Sequence, residues 1–402
     1  MVGLGPVARP LAATMLVQAM VAMAVSVLPV LSPILAQTYG IDASLIGIYS
    51  SLVFAGAIGF TLLGGALVRR FGAIRISQIA ALLAASALTI SVLGPLSGLV
   101  VFAAVTGMGY GLATPAASHI LARVTPANRR GVVFSIKQSA VPLGGLLAGL
   151  IAPAAAAVLG WQWAVACMAA VVALTALVIH PLRQSLDDDR DPFYPVSLGA
   201  SFASIAMVLR HPRLRTLALT TLAFTGFHAS IFAIFTAFLV ERGGLSLIVA
   251  GQAYGAMQVS GVAARIGFGW LTDHFISARR LLVVIGVGMG LSGVVIGQID
   301  SGWPIEAVFA VSAMLGVVVG GWPGIYLAEI VRVVPTDQVS TATGGTVAFS
   351  FAGVVIGPAL FSVVIALSGS YALAFMVFGA IAAVIAVGLW LAARRAEARQ
   401  NA

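Results

Sequence analysis

Two basic side chains lie within segments that are otherwise apolar. Lys137, the only lysine of the chain, falls inside the apolar run of residues 131–159, and Arg265 falls inside a second such run. A charged side chain in hydrocarbon costs about 3 kcal/mol or more, so such residues face a bundle interior and pair with something negative. We expect no carboxylate at the same depth. The two cations therefore predict that an anionic cargo supplies the missing charge.

The two cations differ in the way they bind an anion. Arginine binds a carboxylate through two parallel hydrogen bonds, whereas lysine acts as a compact point charge. We therefore expect Arg265 to orient the anion and Lys137 to neutralise it or to sense its presence. The alternative is that each side chain binds nearby backbone carbonyls or extends to the membrane surface.

Further polar and aromatic side chains within the apolar runs are weaker candidates for substrate binding. His228 is as consistent with a hydrogen bond between helices as with a proton carrier, and the aromatic residues are as consistent with packing. Gln138 adjoins Lys137, but neighbours on a helix point about 100° apart. The full set is Gln18, Tyr110, Gln138, His228, Tyr254, Gln258, Trp322 and Tyr326.

The composition decides which elements position these residues. The chain has 402 residues, of which 60% are hydrophobic and 8% charged, whereas a soluble domain carries about 25% charged residues. A transmembrane helix needs about 20 apolar residues. The predicted fold is therefore an all-α membrane protein with twelve transmembrane helices. The predicted spans are 11–36, 44–68, 76–94, 97–122, 132–158, 162–181, 214–240, 247–271, 280–299, 303–330, 340–367 and 371–393.

The arginines predict the orientation of these spans. With twelve spans and a cytoplasmic N-terminus, eighteen arginines lie on the cytoplasmic side and Arg242 alone lies on the other. This asymmetry follows the positive-inside rule and places both termini in the cytoplasm. The net charge of +9 thus predicts contact with the anionic lipid of the bilayer and not with nucleic acid.

A polar segment divides the chain into two similar halves. We predict an N-terminal six-helix bundle at 1–181, a cytoplasmic central loop at 182–213 with an amphipathic helix near 201–210, and a C-terminal six-helix bundle at 214–402. An offset of 204 aligns Gly65 with Gly269, and an offset of 209 aligns Gly107 with Gly316 and Gly111 with Gly320. Two six-span repeats are typical of a transporter whose substrate binds near the midplane between the halves.

The segment GWLTDH at 269–274 resembles the G-x-L-x-D-R signature of the major facilitator superfamily. The resemblance to this family extends over essentially the whole chain. In that family the loop latches the two halves on the cytoplasmic side. The resemblance implies latch roles for Gly269 and Asp273 and for the first-half counterparts Gly65, Arg69 and Arg70. Arginine stands at 69 where the family has aspartate.

Two shorter resemblances concern the cargo. The segment ARIGFG at 264–269 is similar to a pattern of monocarboxylate and oxalate transporters, whose arginine binds the substrate carboxylate. The segment RRGVVFSIKQSAVP at 129–142 resembles a signature of bacterial cyanate-type permeases. The resemblances imply that Arg265 and Lys137 serve an anion transporter.

The sequence thus predicts a secondary active transporter of a small organic anion, a carboxylate, in the cell inner membrane. We expect proton-coupled uptake by alternating access, a monomer, and neither a cofactor nor a metal site. The alternatives are an anion exchanger and a proton-driven multidrug exporter, the latter indifferent to Lys137 and Arg265. A membrane enzyme is excluded because no catalytic groups converge. The sequence has no P-loop pattern, so we expect gradients and not ATP to drive transport.

Overall fold

The computed structural model describes residues 5–93, 99–126, 130–196, 201–334 and 339–400, and these residues form helices and no strand. The helices up to the polar segment are α1 (Gly5–Val30), α2 (Ser32–Tyr39), α3 (Ile46–Phe71), α4 (Ala73–Leu93), α5 (Leu99–Val124), α6 (Arg130–Gln138), α7 (Ala140–Leu159), α8 (Trp161–Val178) and α9 (Arg183–Leu186). The later helices are α10 (Ser201–Arg210), α11 (Pro212–Glu241), α12 (Leu247–His274), α13 (Ala278–Ile296), α14 (Ile305–Gly320), α15 (Pro323–Val333), α16 (Val339–Ser368) and α17 (Tyr371–Gln400).

The helices confirm a multi-pass membrane protein. Among the described residues, 11 helices are long and apolar enough to cross a membrane. The eighth predicted span, 247–271, lies within α12 but is not one of them. Gln252, Gln258 and Arg265 stand among the apolar residues of α12 and make this helix more polar than the spans that meet the criterion. The count of twelve spans stays a prediction.

Three predicted spans are each interrupted where proline removes a backbone donor. The first is divided into α1 and α2 beside Pro33, and the fifth into α6 and α7 at Ser139. Pro142 has no N–H for the carbonyl of Gln138, so the helical ladder fails at that point. The tenth is divided into α14 and α15 at residues 321–322, just before Pro323. Gly320, Gly321 and Pro323 all lie at this interruption, and glycine and proline both disfavour a helix.

The chain forms two compact units. The first comprises Met1–Ile41 and Leu52–Leu198, and the second comprises Asp42–Ser51 and Gly199–Ala402. The predicted amphipathic helix is present as α10, which packs on α16 of the second unit. The domain limits set from the sequence, 1–181, 182–213 and 214–402, remain a prediction.

Two consecutive aspartates of the polar segment bind α4 and α5 within the first unit. The carboxylate of Asp187 accepts hydrogen bonds from the backbone N–H groups of Ile74 (2.6 Å) and Arg75 (3.1 Å), where α4 begins and its dipole favours a negative charge. Asp188 lies 2.8 Å from Arg123 at the end of α5. Burial raises the pKa of Asp187, whereas the hydrogen bond from Arg123 lowers the pKa of Asp188.

Glycines on α5 allow two helices of the first unit to approach closely. A Cβ atom at Gly107 would overlap the backbone of Val53 on α3, and a Cβ atom at Gly111 would overlap the backbone of Ala57. Only glycine permits this approach of one backbone to another. The contact fixes the register of α5 against α3.

The second unit repeats this contact. A Cβ atom at Gly316 on α14 would overlap the backbone of Met257 on α12, and one at Gly320 would lie against Gly261. Met257 and Gly261 follow Val53 and Ala57 by the offset of 204, and Gly316 and Gly320 follow their counterparts by 209. The internal duplication predicted from sequence is therefore present in the packing.

We predict that Gly107→Ala lowers the apparent melting temperature of the purified protein. The added methyl group must displace α3, and such overpacking typically costs about 1–3 kcal/mol. The matched control is Gly388→Ala on α17, because a Cβ atom there meets nothing within 4 Å and alanine favours a helix. Equal melting temperatures for the two variants would show that the glycine contact does not constrain the bundle.

Candidate functional site

Lys137 is buried in the first unit and is bound by uncharged groups. Its side chain is 1% exposed, and its Nζ donates to Oε1 of Gln18 and to Oε1 of Gln138, each at 3.2 Å. None of the ion pairs formed within the described residues includes Lys137. A lysine ammonium has three donors and no acceptor. The two amides therefore stabilise the charge without neutralising it.

Gln18 gives the same region a second donor. The side chain lies on α1 and is fully buried, and its Oε1 also accepts a hydrogen bond from Thr114 on α5 at 3.1 Å. Its Nε2 is buried and has no hydrogen-bond partner among the described residues. A buried donor left without a partner costs about 1–3 kcal/mol. Nε2 of Gln18 and Nζ of Lys137 together favour an acceptor, such as a carboxylate oxygen.

Gln138 and Tyr110 complete the candidates in the first unit. Gln138 is largely exposed and still reaches Lys137, so the expected 100° separation on the helix does not keep the two apart, because both side chains are long. Tyr110 is half-buried on α5, and its ring packs edge-to-face on Phe54 at 5.6 Å.

Arg265 lies on α12 in the second unit and is half-buried. Its Nε donates to the carbonyl of Gly320 at 2.7 Å. Gly320 ends α14, and carbonyls at a helix C-terminus carry partial negative charge. The sequence offered binding of a backbone carbonyl as the alternative for both cations. Nε of Arg265 makes such a bond. The guanidinium has five N–H donors, and Nε–H is the one that makes this bond.

His228 lies close to Arg265 in the second unit. Its ring stacks on Phe232 with a centroid distance of 4.4 Å, and the backbone of Val319 and the guanidinium of Arg265 are near it. The imidazole therefore lies between α11 and the end of α14. This position accords with the helix-packing role that the sequence left open for His228.

Trp322 and Tyr326 form an aromatic group with Phe224. The ring of Trp322 meets Phe224 edge-to-face at 5.6 Å and Tyr326 at 5.8 Å. Trp322 is 3% exposed, and its Nε1 has no hydrogen-bond partner among the described residues. The buried hydroxyl of Tyr326 makes no hydrogen bond of good geometry, although threonine hydroxyls of α11 and α16 are its neighbours.

Tyr254 and Gln258 are buried together on α12. Nε2 of Gln258 donates to the hydroxyl of Tyr254 at 3.3 Å, and the ring of Tyr254 meets Phe232 edge-to-face at 5.8 Å. Through Phe232 this pair is continuous with His228. The structure thus brings three predicted residues of the second unit, His228, Tyr254 and Gln258, together around one aromatic ring that was not predicted.

Sequence reasoning missed three residues of these groups, Thr114, Phe224 and Phe232. Phe224, His228 and Phe232 follow one another at intervals of four residues, which is one face of a helix. That spacing was sufficient to find both phenylalanines. Thr114 carries no such signal, because its role depends on the packing of α5 against α1.

The residues predicted to latch the halves have different surroundings. The carbonyl of Arg69 accepts a hydrogen bond from the backbone of Asp191 at 2.8 Å, and its guanidinium lies 5.3 Å from the ring centroid of Tyr194. Arg70 is exposed, with its guanidinium over Phe71. Gly65 is exposed, and neither Gly65 nor Gly269 has a neighbour that requires glycine. The side chain of Asp273 lies outside the described part of the structure.

Glu329, the acidic residue predicted within a span, is 3% exposed. Its Oε1 accepts a hydrogen bond from Nε of Arg279 at 2.9 Å, which forms an ion pair. The pair joins α13 to α15 in the second unit. Glu329 is therefore bound to a cation near the end of its span.

Comparison with known sequences places these residues in context. The sequence model of the Major Facilitator Superfamily matches residues 14–344. The chain is 23% identical over 391 residues to the 4-hydroxybenzoate transporter PcaK of Acinetobacter baylyi (strain ATCC 33305 / BD413 / ADP1), covering 89% of this chain and 85% of that protein. It is 26% identical over 292 residues to the putative niacin/nicotinamide transporter NiaP of Bacillus subtilis (strain 168), covering 70% of each.

Solved structures show the same fold. A POT family transporter in complex with 5-aminolevulinic acid superimposes with a TM-score of 0.76 at 14% identity, over 95% of this chain and 96% of that one. A bacterial homologue of the human lysosomal transporter Spinster, inward-facing and occupied, gives a TM-score of 0.75 at 14% identity, over 97% of each chain. At these identities the likeness extends to the fold alone.

A double-mutant cycle tests the contact between Lys137 and Gln18. We expect Gln18→Leu to lower stability by about 1–3 kcal/mol, because it leaves a buried ammonium with one acceptor fewer. In the Lys137→Met background the same change should cost less, with a coupling of about 0.5–3 kcal/mol. The measurement is the denaturation midpoint of the four proteins in detergent. Additive effects would show that the two side chains do not interact.

Proposed function

The chain belongs to the Major Facilitator Superfamily, a family of transporters, and we propose that it carries a small aromatic carboxylate across the cell inner membrane by alternating access. The observation that carries the proposal is the ammonium of Lys137, buried without a carboxylate partner among the described residues. A buried cation is stabilised most by an anion that arrives with the substrate.

The first unit supplies the charge that favours a carboxylate. Lys137 Nζ uses two amide oxygens as acceptors, and Gln18 Nε2 is a buried donor without a partner. One carboxylate oxygen satisfies both, because an ionised acceptor forms shorter and stronger hydrogen bonds than an amide. A neutral substrate would leave the ammonium uncompensated.

The second unit supplies surfaces that favour an aromatic ring. Trp322, Phe224 and Tyr326 already pack edge-to-face, and a further ring can continue that arrangement. The unpartnered Nε1 of Trp322 suits an acceptor on the substrate ring. Both relatives bear on this choice, since 4-hydroxybenzoate and niacin each join an aromatic ring to a carboxylate.

Arg265 orients the carboxylate in this proposal. A guanidinium can bind a backbone carbonyl and a carboxylate at once, since its five donors lie in a planar fork. Its bond to Gly320 holds the fork at the interruption between α14 and α15. Binding of an anion there would act directly on the interruption of the tenth predicted span.

Proton-coupled uptake by a monomer completes the proposal. Glu329 is held by Arg279, so the proton is carried by His228 or by Lys137. Neither carrier needs an additional carboxylate within the membrane. Uptake that follows an imposed pH gradient separates this coupling from anion exchange, which follows the opposing anion.

We predict that 4-hydroxybenzoate and nicotinate raise the apparent melting temperature of the purified protein. A ligand at 100 times its Kd stabilises the folded state by about 2.7 kcal/mol. The amides 4-hydroxybenzamide and nicotinamide have the same rings without the charge and should have little effect. Lys137→Met and Arg265→Gln should each abolish the shift.

The control variant is Arg280→Gln, an exposed arginine at the start of α13, which should respond as the unchanged protein does. Amides that stabilise as well as the acids would refute the role of charge. A carboxylate response that survives in both Lys137→Met and Arg265→Gln would refute the assignment of the two cations and favour a site built from apolar residues alone.

A further inference from the structure

We infer that the first unit binds one anionic phospholipid in a groove between α4 and α8, separate from the residues proposed to bind the substrate. The groove has a volume of about 610 Å³, and its lining includes Ile79, Leu82, Leu174 and Leu177, with Arg75 and Gln78 at one end. It lies on the outer surface of two membrane-spanning helices, where lipid is the solvent.

The walls of the groove suit an acyl chain. Leu82 is 49% exposed, Leu174 54% and Leu177 70%, and the small residues Ala170 and Ala173 of α8 also line the groove. Large apolar side chains exposed on a membrane helix are normal, but a concave surface lined in part by small residues can hold a chain in one position. The shape therefore favours a bound lipid over freely exchanging ones.

The polar end of the groove suits a phosphate. Arg75 begins α4, its side chain is exposed, and its guanidinium takes part in no ion pair formed within the described residues. Gln78 donates to the carbonyl of Ala176 at 2.8 Å and lies 3.2 Å from Nδ1 of His180. These contacts hold α4 and α8 together at the level where a headgroup would lie.

A second cavity adjoins this end of the groove and is lined by charges of both signs. It has a volume of about 760 Å³, and its lining includes His180, Arg183 and Arg190 together with Asp187 and Asp188. Asp187 accepts from the start of α4 and lies 3.9 Å from Arg183, whereas Asp188 pairs with Arg123. The two arginines and two aspartates of this cavity balance in charge, so Arg75 supplies the positive charge that faces a ligand in the groove.

An anionic phospholipid is the occupant that fits both parts. Its acyl chain fills the apolar groove, and its phosphate meets Arg75 at the polar end of the groove. An arginine near the membrane surface attracts anionic headgroups. A soluble phosphate would leave the groove unused, and a zwitterionic lipid would gain less from the arginine.

Native mass spectrometry of the purified protein tests this inference with dioleoyl phosphatidylglycerol and dioleoyl phosphatidylcholine as probes. We expect one phosphatidylglycerol to bind in preference to phosphatidylcholine. Arg75→Gln should lower the affinity for phosphatidylglycerol on the order of fivefold. Ala173→Trp should displace this lipid by filling the groove. Arg75→Gln keeps the backbone bond to Asp187, so the fold should be unaffected, as an unchanged melting temperature without lipid would verify.

The matched control is Arg280→Gln, which removes an exposed arginine of the second unit and should bind phosphatidylglycerol as the unchanged protein does. The inference is overturned if the two lipids bind equally, if Arg75→Gln binds as the unchanged protein does, or if Arg280→Gln loses as much. It is also overturned if glycerol 3-phosphate competes as well as the intact lipid. If Ala173→Trp fails to fold, Arg75→Gln decides alone.

Discussion

The ammonium group of Lys137 imposes the strongest physical constraint on this protein. It is buried in an apolar bundle and bound by the amide oxygens of Gln18 and Gln138, which stabilise a charge less than an anion does. The arrangement holds Lys137 in place, and a carboxylate would bind the ammonium more strongly than the two amides do. The position of Gln18 depends in turn on Thr114, and so on the packing of α5 against α1.

The packing that supports this region is the same in both units. Glycines at equivalent positions of α5 and α14 bring those helices against α3 and α12, and α12 and α14 carry Arg265 and its partner carbonyl at Gly320. The duplicated bundle thus presents one cation in each unit, but with different chemistry. In our proposal the ammonium held by amides neutralises the charge of the substrate, whereas the guanidinium fixed at a helix end orients its carboxylate.

Much of the fold could be predicted from sequence, because hydropathy and arginine placement act over whole segments. The interruption at residues 321–322 also has a local cause in the sequence, since two glycines and a proline weaken a helix. The division at Ser139 was not predicted, because Pro142 breaks the helix four residues before its own position, at the carbonyl of Gln138. At the site, Lys137 and Arg265 were found from their cost in hydrocarbon, whereas Thr114 and the bond from Arg265 to Gly320 depend on tertiary packing that no local pattern encodes.

The most direct test of the central claim is uptake of radiolabelled 4-hydroxybenzoate into proteoliposomes with an imposed inward proton gradient. The account predicts accumulation by the unchanged protein, and a loss of about tenfold or more in Lys137→Met and in Arg265→Gln, because hydrogen bonds to charged groups contribute about 1.5–3 kcal/mol. Arg280→Gln should transport normally. Uptake by both Lys137→Met and Arg265→Gln at the rate of the unchanged protein would contradict the claim that these two cations bind the transported anion.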